Sequence, residues 1–147
     1  MMKINPKIGI DHLVFGMKPN DVVQLYGQPN KQFNDEEDNL IYLYNDQKWR
    51  LTFYEDEELR LGYIISSNPD LILFDQTILA KPISEIEGLL QTKKFKPLEI
   101  ESFDSVDNYF NESNWMIFQV EYNQVIRFEL GAVFNDDSDE FDWKFKG

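Results

Sequence analysis

Cysteine is missing from this chain of 147 residues, and histidine occurs once. Without cysteine the chain can form no disulfide, no thiolate metal site and no cysteine nucleophile. A Ser-His-Asp site would have to use His12, in Asp11-His12-Leu13, and no Gly-x-Ser-x-Gly motif accompanies it. The sequence therefore predicts that His12 lies at the surface or at a strand edge, and that the protein is not an enzyme.

Basic residues are also scarce, with 14 Lys and Arg against 27 Asp and Glu, a formal net charge of −13. Binding to a phosphate backbone needs an excess of Lys and Arg, so we expect no nucleic-acid partner. The negative charge favours a basic partner, although it also serves solubility alone.

Long apolar runs are lacking as well. Residues 1–10 hold few apolar side chains and are interrupted by Pro6 and Gly9, and no run approaches membrane-spanning length. We therefore expect no secretory signal, no membrane partner and a cytoplasmic protein.

The chain nevertheless has the composition of a folded domain. Apolar residues make up 42% of it and aromatic residues 15%, which supplies a hydrophobic core. Its length is that of one ordinary domain, so residues 1–147 are predicted to fold as a single unit.

A compact helix signal lies within residues 15–30. Pro19 occupies a first helical position, where its missing N–H costs nothing, and Val22, Val23 and Tyr26 form one apolar face. Gly27 and Pro29 then supply a left-handed cap and a stop. A helix of about two turns is too short to be stable alone, so it must pack on other elements.

Three strand signals follow this helix, at residues 40–44, 49–54 and 59–65. Each combines β-branched or aromatic residues with apolar and polar alternation. The joins at 45–48 and 55–58 are short and polar, which leaves no room for crossover helices. These segments predict an antiparallel meander.

A break at residues 66–70, Ser-Ser-Asn-Pro-Asp, separates the first half from a second one. A second helix is predicted at residues 81–90, and its Lys81-Pro82 start repeats Lys18-Pro19. Weak strand 98–100, a polar loop at 102–114 and strands 115–122 and 125–134 follow. Residues 141–146 alternate as a final amphipathic strand.

The second helix and the strands after it repeat the order of the first half, which predicts an internal duplication of about residues 8–66 and 71–134. The fold class is therefore predicted as α+β, an antiparallel sheet with short helices on one face, built from two tandem α-β-β-β-like repeats.

Acidic residues cluster at predicted strand ends. If two clusters converge, they form a negative surface that steers a basic protein partner, and neighbouring Tyr and Trp side chains are natural anchors for it. The alternative is that most of these aromatic side chains pack in the core. The predicted partner-binding residues are Asp35, Glu36, Glu37, Asp38, Tyr42, Tyr44, Trp49, Tyr54, Glu55, Asp56, Glu57 and Glu58.

The acidic run at 135–140 has two interpretations. It is a solvated turn or, alternatively, a cation site, although it lacks the central glycine and the final glutamate of a calcium loop. No other spacing indicates a ligand set, so no metal, cofactor or catalytic residue is predicted.

The helix signal contains a recognisable string: Phe15-Gly16-Met17, Asp21-Val22-Val23, Leu25-Tyr26-Gly27 and Pro29. This string resembles the helix cassette of BamE (SmpA/OmlA) and β-lactamase-inhibitory-protein-like folds, and of small bacterial proteins that look like immunity proteins of toxin systems. In those folds two short helices pack on an antiparallel sheet, and the inhibitory protein is a tandem duplication. Lys18 stands where the pattern has a capping Ser or Thr, so the cap must come from elsewhere.

The resemblance implies a cytoplasmic immunity protein that binds and blocks a cognate toxin, and a basic nuclease would suit the charge. The alternative is a small-molecule or peptide-binding domain that uses a cleft between the helices and the sheet.

Overall fold

A computed structural model describes residues 2–146, and within them two α-helices and twelve strands form the fold. A single turn of 3₁₀-helix, Glu55–Glu57, lies between the fifth and sixth strands. In chain order the elements are β1 (Met2–Asn5), β2 (Gly9–Ile10), α1 (Pro19–Tyr26), β3 (Lys31–Asn34), β4 (Leu40–Tyr44), β5 (Trp49–Tyr54), β6 (Arg60–Ser66), β7 (Leu71–Leu73), β8 (Gln76–Thr77), α2 (Ile83–Thr92), β9 (Glu99–Phe103), β10 (Val106–Asn111), β11 (Met116–Glu121) and β12 (Gln124–Gly131).

Helix α1 begins and ends where its local signals predict. Pro19 is its first residue, and Gly27 follows its last residue with a φ of 82°, which glycine adopts without strain. The cap that Lys18 does not supply comes from Asp21, whose carboxylate accepts the Lys18 backbone N–H at 2.9 Å. Asp21 therefore satisfies a donor and complements the positive end of the helix dipole.

Eight strands form one antiparallel sheet in the order β3-β4-β5-β6-β12-β11-β10-β9. Each helix is thus followed by a four-stranded meander, and the two meanders join where β6 pairs with β12. In that pairing Tyr63 lies opposite Gly131, and Ser66 lies opposite Phe128. The predicted α+β class with an antiparallel sheet is confirmed. A duplication of residues 8–66 and 71–134 stays a prediction.

Both helices cover the same face of this sheet. Alternate side chains of β5 and β11 are buried on it, and they form one core with apolar side chains of α1 and α2. We call the opposite face the open face; it carries half-buried side chains such as Tyr63, Ile65, Ile117 and Glu129. The core side chains that illustrate this are Val22, Trp49, Leu51, Phe53, Ile83, Ile86, Leu90, Met116, Phe118 and Val120.

A small sheet of four strands, in the order β2-β1-β7-β8, was not predicted. Strand β1 pairs in parallel with β7 and antiparallel with β2. The strands are only two to four residues long, so their alternation was too short to be recognised. This sheet ties the start of the chain to the segment that links the two meanders.

In the second half, one predicted boundary shifts and one predicted loop is wrong. The second helix is present, but it starts at Ile83 instead of Lys81, because Pro82 stays extended and forms a bridge with Gln124. The loop predicted at 102–114 contains β10, a polar strand that pairs on both sides, with β9 and with β11. Backbone hydrogen bonds to two neighbours outweigh the low β-propensity of its Asp and Asn residues.

The strand predicted at 141–146 is not formed either. Phe141 makes one isolated bridge with Phe134, and the N–H groups of Lys144 and Phe145 both donate to the Phe15 carbonyl, at 3.2 and 3.0 Å. Two donors that share one acceptor cannot continue a strand ladder. The segment instead lays its aromatic side chains against the sheet.

Replacing Phe128 by alanine is expected to destabilise the fold by about 3–5 kcal/mol, the usual cost of removing a buried phenylalanine ring. Phe128 is fully buried on β12, with its ring centroid 5.1 Å from that of Phe118. Urea unfolding monitored by circular dichroism measures the loss. The control is Phe103→Ala, since Phe103 is 52% exposed; equal losses in the two variants would contradict this core.

Candidate functional site

The two acidic clusters of the first meander lie at the same end of the sheet. The turn after β3 carries Asp35–Asp38, and the turn after β5 carries Glu55–Glu58. Alternate turns of an antiparallel meander lie at the same end of the sheet, so these two turns are neighbours. A hydrogen bond joins them, because the Glu55 N–H donates to Oδ1 of Asn39 at 3.0 Å. We call these eight carboxylates, residues 35–38 and 55–58, the acidic rim.

The Asp35 side chain builds the first of these turns. Its Oδ1 accepts the N–H groups of Glu37 and Asn39, at 2.9 and 3.0 Å. Desolvation opposes ionisation of Asp35, but these hydrogen bonds outweigh it and, with Arg50, hold its pKa below the usual range. Asp35 is therefore a structural member of the rim.

Like charges within the rim affect each other. The pKa of Glu55 is raised, first by a hydrogen bond and a like charge from Asp56 and then, less strongly, by Asp38 of the other turn. Glu58 forms ion pairs with Lys18 at 3.7 Å and Arg60 at 3.2 Å. Within residues 2–146, the other rim carboxylates have no Lys or Arg nitrogen within 4.0 Å, so most of the negative charge is uncompensated.

Three of the predicted anchors need correction. Tyr42, Tyr44 and Trp49 are 6%, 3% and 2% exposed, on the face that the helices cover. The Tyr26 ring of α1 packs edge-on against Trp49, at 4.7 Å between centroids, and the Tyr44 hydroxyl donates to the Gly27 carbonyl at 2.8 Å. These side chains fasten α1 to the sheet and are not available to a partner.

Tyr54 is the predicted anchor that does reach a surface. It lines a cleft of about 530 Å³ on the open face, next to the acidic rim. We call this cleft the aromatic cleft. Its aromatic lining is Tyr54, Tyr63, Trp115, Phe134 and Phe141, and its acidic lining is Glu112 and Asp136.

Two glycines shape the floor of the aromatic cleft. A Cβ on Gly62 would lie 2.1 Å from Cε2 of Tyr54, and a Cβ on Gly131 would lie 2.4 Å from Cδ1 of Trp115. Because neither glycine has a side chain, each ring packs directly against the backbone of β6 or β12. Both rings line the same cleft.

The C-terminal segment closes one side of the cleft. Phe134 and Phe141 pair with their ring centroids 4.6 Å apart, and Phe141 stacks on Tyr54 at 5.7 Å with an interplanar angle of 29°. The acidic turn at 135–140 lies between these two phenylalanines, and the Asn135 N–H donates to the Glu140 carbonyl at 2.8 Å. The third acidic cluster is thus held beside the cleft.

The aromatic cleft and the acidic rim influence each other electrostatically. Burial raises the pKa of Tyr54 to about 12, and the negative charge of Glu37 adds to this shift. Burial also raises the pKa of Tyr63, whose hydroxyl donates to the Glu129 carboxylate. Gln119 donates to the second oxygen of Glu129 at 2.7 Å, so that carboxylate is held in place by two donors.

His12 lies outside both features. Its side chain is 76% exposed and 3.9 Å from Asp11, and its backbone N–H donates to the Tyr26 hydroxyl at 3.1 Å. Among residues 2–146, no group of three or more His, Asp or Glu side chains is arranged to hold a metal ion. In the same part of the chain, neither helix is long and apolar enough to cross a membrane.

Sequence reasoning missed four of the five aromatic residues that line the cleft, namely Tyr63, Trp115, Phe134 and Phe141. The available signal was a glycine within each of two predicted strands, Gly62 and Gly131, since such a glycine often marks a close approach.

A second cleft, of about 410 Å³, lies beside α2 and is lined by residues that include Leu90, Phe95 and Leu98. That cleft adjoins a helix, as the predicted ligand cleft would.

Comparisons with known proteins define the fold only. No family model and no curated protein matches the chain. The fold is similar to that of an extracellular protein containing a SCP domain from Bacillus anthracis, at a TM-score of 0.54 and 7% identity over 79% of this chain. The match spans 43% of that protein, less than half of its length. A DUF4309 family protein from Bacillus subtilis matches at a TM-score of 0.49 and 13% identity, over 79% of this chain and 78% of its own.

Replacing Tyr54 by phenylalanine is expected to make the fold more resistant to alkali. An unfolded phenol ionises near pH 10, whereas Tyr54 in the folded chain has a pKa of about 12, so its contribution to stability is lost as pH rises between about 10 and 12. Phenylalanine keeps the stacked ring and removes the proton. Urea unfolding at about pH 7 and pH 11 should show a smaller loss for Tyr54→Phe than for the unaltered chain. The control is Tyr122→Phe, since Tyr122 is 88% exposed; a loss in Tyr54→Phe as large as in the unaltered chain would contradict the assignment.

Proposed function

We propose that this chain is a non-enzymatic protein that binds a basic protein partner through the acidic rim. The observation that carries the proposal is the hydrogen-bonded convergence of the two acidic turns, where Glu55 donates to Asn39 and has its pKa raised by Asp56 and Asp38. A fold that concentrates like charge at one end gives up some stability there. Binding to a complementary positive surface offsets that repulsion.

The charge of the whole chain acts in the same direction. A net charge of −13 steers a basic protein towards the chain and repels nucleic acid. The rim then supplies local orientation, because its carboxylates project from two turns that are fixed to each other. Its contribution falls with salt, since exposed charges are screened beyond about 8 Å at physiological ionic strength.

The aromatic cleft beside the rim supplies the apolar part of the interface. Trp115 and Phe134 are 38% and 56% exposed, and they lie next to half-buried Tyr54 and Phe141. Aromatic side chains at the centre of an interface contribute most of its binding energy, whereas charged residues at the rim contribute rate and orientation.

The resemblance of the helix cassette at residues 15–30 makes an immunity protein the form of this function that we favour. The cognate toxin would be a basic protein, such as a nuclease, and its neutralisation would take place in the cytoplasm. The cassette itself packs inward on Trp49 and Tyr44, so it supports the fold and not the contact with the toxin.

A second candidate function is that of a small-molecule or peptide-binding domain. The clefts of about 530 and 410 Å³ favour it, since both have the size of ligand pockets. The larger one lies on the open face and the smaller one beside α2. Binding by the chain that requires no protein partner and shows no salt dependence would favour this function over the first.

Co-expression with the product of the neighbouring upstream gene, followed by affinity capture at low and high salt, tests the first proposal. Capture that weakens from about 0.05 M to about 0.5 M salt, together with relief of toxicity, supports it. If no complex forms and the toxicity persists, the immunity function is wrong, and ligand screening against the two clefts is the next step.

Reversing two rim charges, Glu36→Lys with Asp56→Lys, is expected to weaken capture about tenfold or more and to reduce its salt dependence. Neither side chain caps a turn as Asp35 does. The matched control is Asp46→Lys with Asp70→Lys, which changes the net charge equally; Asp46 lies in the turn between β4 and β5, at the other end of the sheet. Equal weakening in both double variants would show that overall charge acts, and not the rim.

A further inference from the structure

We propose that the aromatic cleft receives a cationic side chain of the partner, an arginine or a lysine, and that it is the specificity site of the interface. This inference rests on the proposed function, because the acidic rim is what would bring a basic partner, and its positive side chains, to the cleft. It adds a ligand of defined chemistry to a cavity that the acidic rim does not include.

The walls of the cleft have the chemistry that recognises a cation. The face of an aromatic ring attracts a guanidinium or an ammonium group, most strongly when the ring is tryptophan. Trp115 and Phe134 are partly exposed and line the cleft, so both rings present surface to solvent. Phe141 is stacked on Tyr54, which leaves a continuous aromatic surface on that side.

The charges of the cleft favour a cation over the other classes of ligand. Over the described residues, 2–146, its lining includes Glu112 and Asp136 and no Lys or Arg. Glu37 extends the negative charge to Tyr54, whose phenol it affects electrostatically. An anion would be repelled by this lining, and a neutral apolar group would use the rings but gain nothing from the carboxylates. A cation uses both.

The cleft is also formed before any ligand arrives. Tyr54 and Trp115 lie directly on the backbone at Gly62 and Gly131, and Tyr63 in the floor is held by its hydrogen bond to Glu129. Because these rings are already placed, a ligand need not order them, and less of the binding energy is lost to conformational entropy.

The test uses the full chain and a defined probe, the peptide acetyl-Gly-Arg-Gly-amide. Its neutral isostere, in which citrulline replaces arginine, serves as the comparison. Nuclear magnetic resonance follows the indole N–H of Trp115, which is assigned by its loss in Trp115→Phe. We expect the arginine peptide to shift this signal saturably and to bind about tenfold more tightly than the citrulline peptide. Equal binding of the two peptides, or no shift at Trp115 with either, would overturn the inference.

Two variants with matched controls separate charge from ring. The double variant Glu112→Gln with Asp136→Asn should weaken binding of the arginine peptide and leave binding of the citrulline peptide unchanged. Its control is Asp46→Asn with Asp104→Asn, two residues in turns at the other end of the sheet. The control should leave the binding of both peptides unchanged. Phe134→Leu should weaken binding of the arginine peptide, whereas Phe103→Leu, at a similarly exposed phenylalanine of β9, should not. Weakening by the control variants to the same degree would contradict a site in the cleft.

The two proposals fail in different ways. If the arginine peptide does not bind in the cleft while the rim variants still weaken capture of the partner, this inference is wrong and the proposed function stands. If the peptide binds but capture of the partner does not depend on the rim, the proposed function is wrong, and the cleft is a cation site of another kind.

Discussion

Strand β6 pairs with strand β12, and the rest of the structure depends on this contact. Because the ladder continues from one meander to the other, eight strands share one face that two short helices can cover. Neither helix is long enough to be stable without that surface. The same pairing sets Tyr63 beside Gly131 on the open face. One set of backbone hydrogen bonds therefore determines where the core lies and where the cleft can form.

The parts of the fold that depend on neighbouring residues could be predicted from the sequence. Helix α1, β4 and β5 have the predicted bounds because proline, glycine and alternation act within a few residues. Strand β10 and residues 141–146 could not be predicted, since distant partners decide both. The polar β10 is a strand because it pairs with β9 and β11 on both sides. Residues 141–146 alternate but form no strand, because backbone N–H groups of this segment donate to the Phe15 carbonyl instead of to a neighbouring strand.

The candidate site shows the same division. The proximity of the two acidic turns follows from the hairpin pattern, because alternate turns of an antiparallel meander lie at the same end of the sheet. Which face the helices cover does not follow from it. Alternation separates Trp49 from Arg50 without saying which side is buried, so it leaves both surface anchors and core packing open for Tyr42, Tyr44 and Trp49. The structure buries all three. The cleft escaped notice because its residues come from β5, β6, the start of β11 and the C-terminal segment.

Tyr54 belongs to both parts of the proposed interface. Its ring lies on Gly62 and stacks on Phe141, while its phenol is affected by Glu37 of the rim. A charge on the rim is therefore close enough to act on a group in the cleft wall, where burial reduces screening by salt. The rim and the cleft can thus act on one partner at two distances, the rim at long range and the cleft by direct contact. The rim attracts a positive surface through solvent, and the cleft distinguishes among the side chains of that surface by contact. A basic partner whose arginine and lysine side chains do not reach the cleft would satisfy the first requirement and fail the second, which is how one acidic protein can select among basic partners.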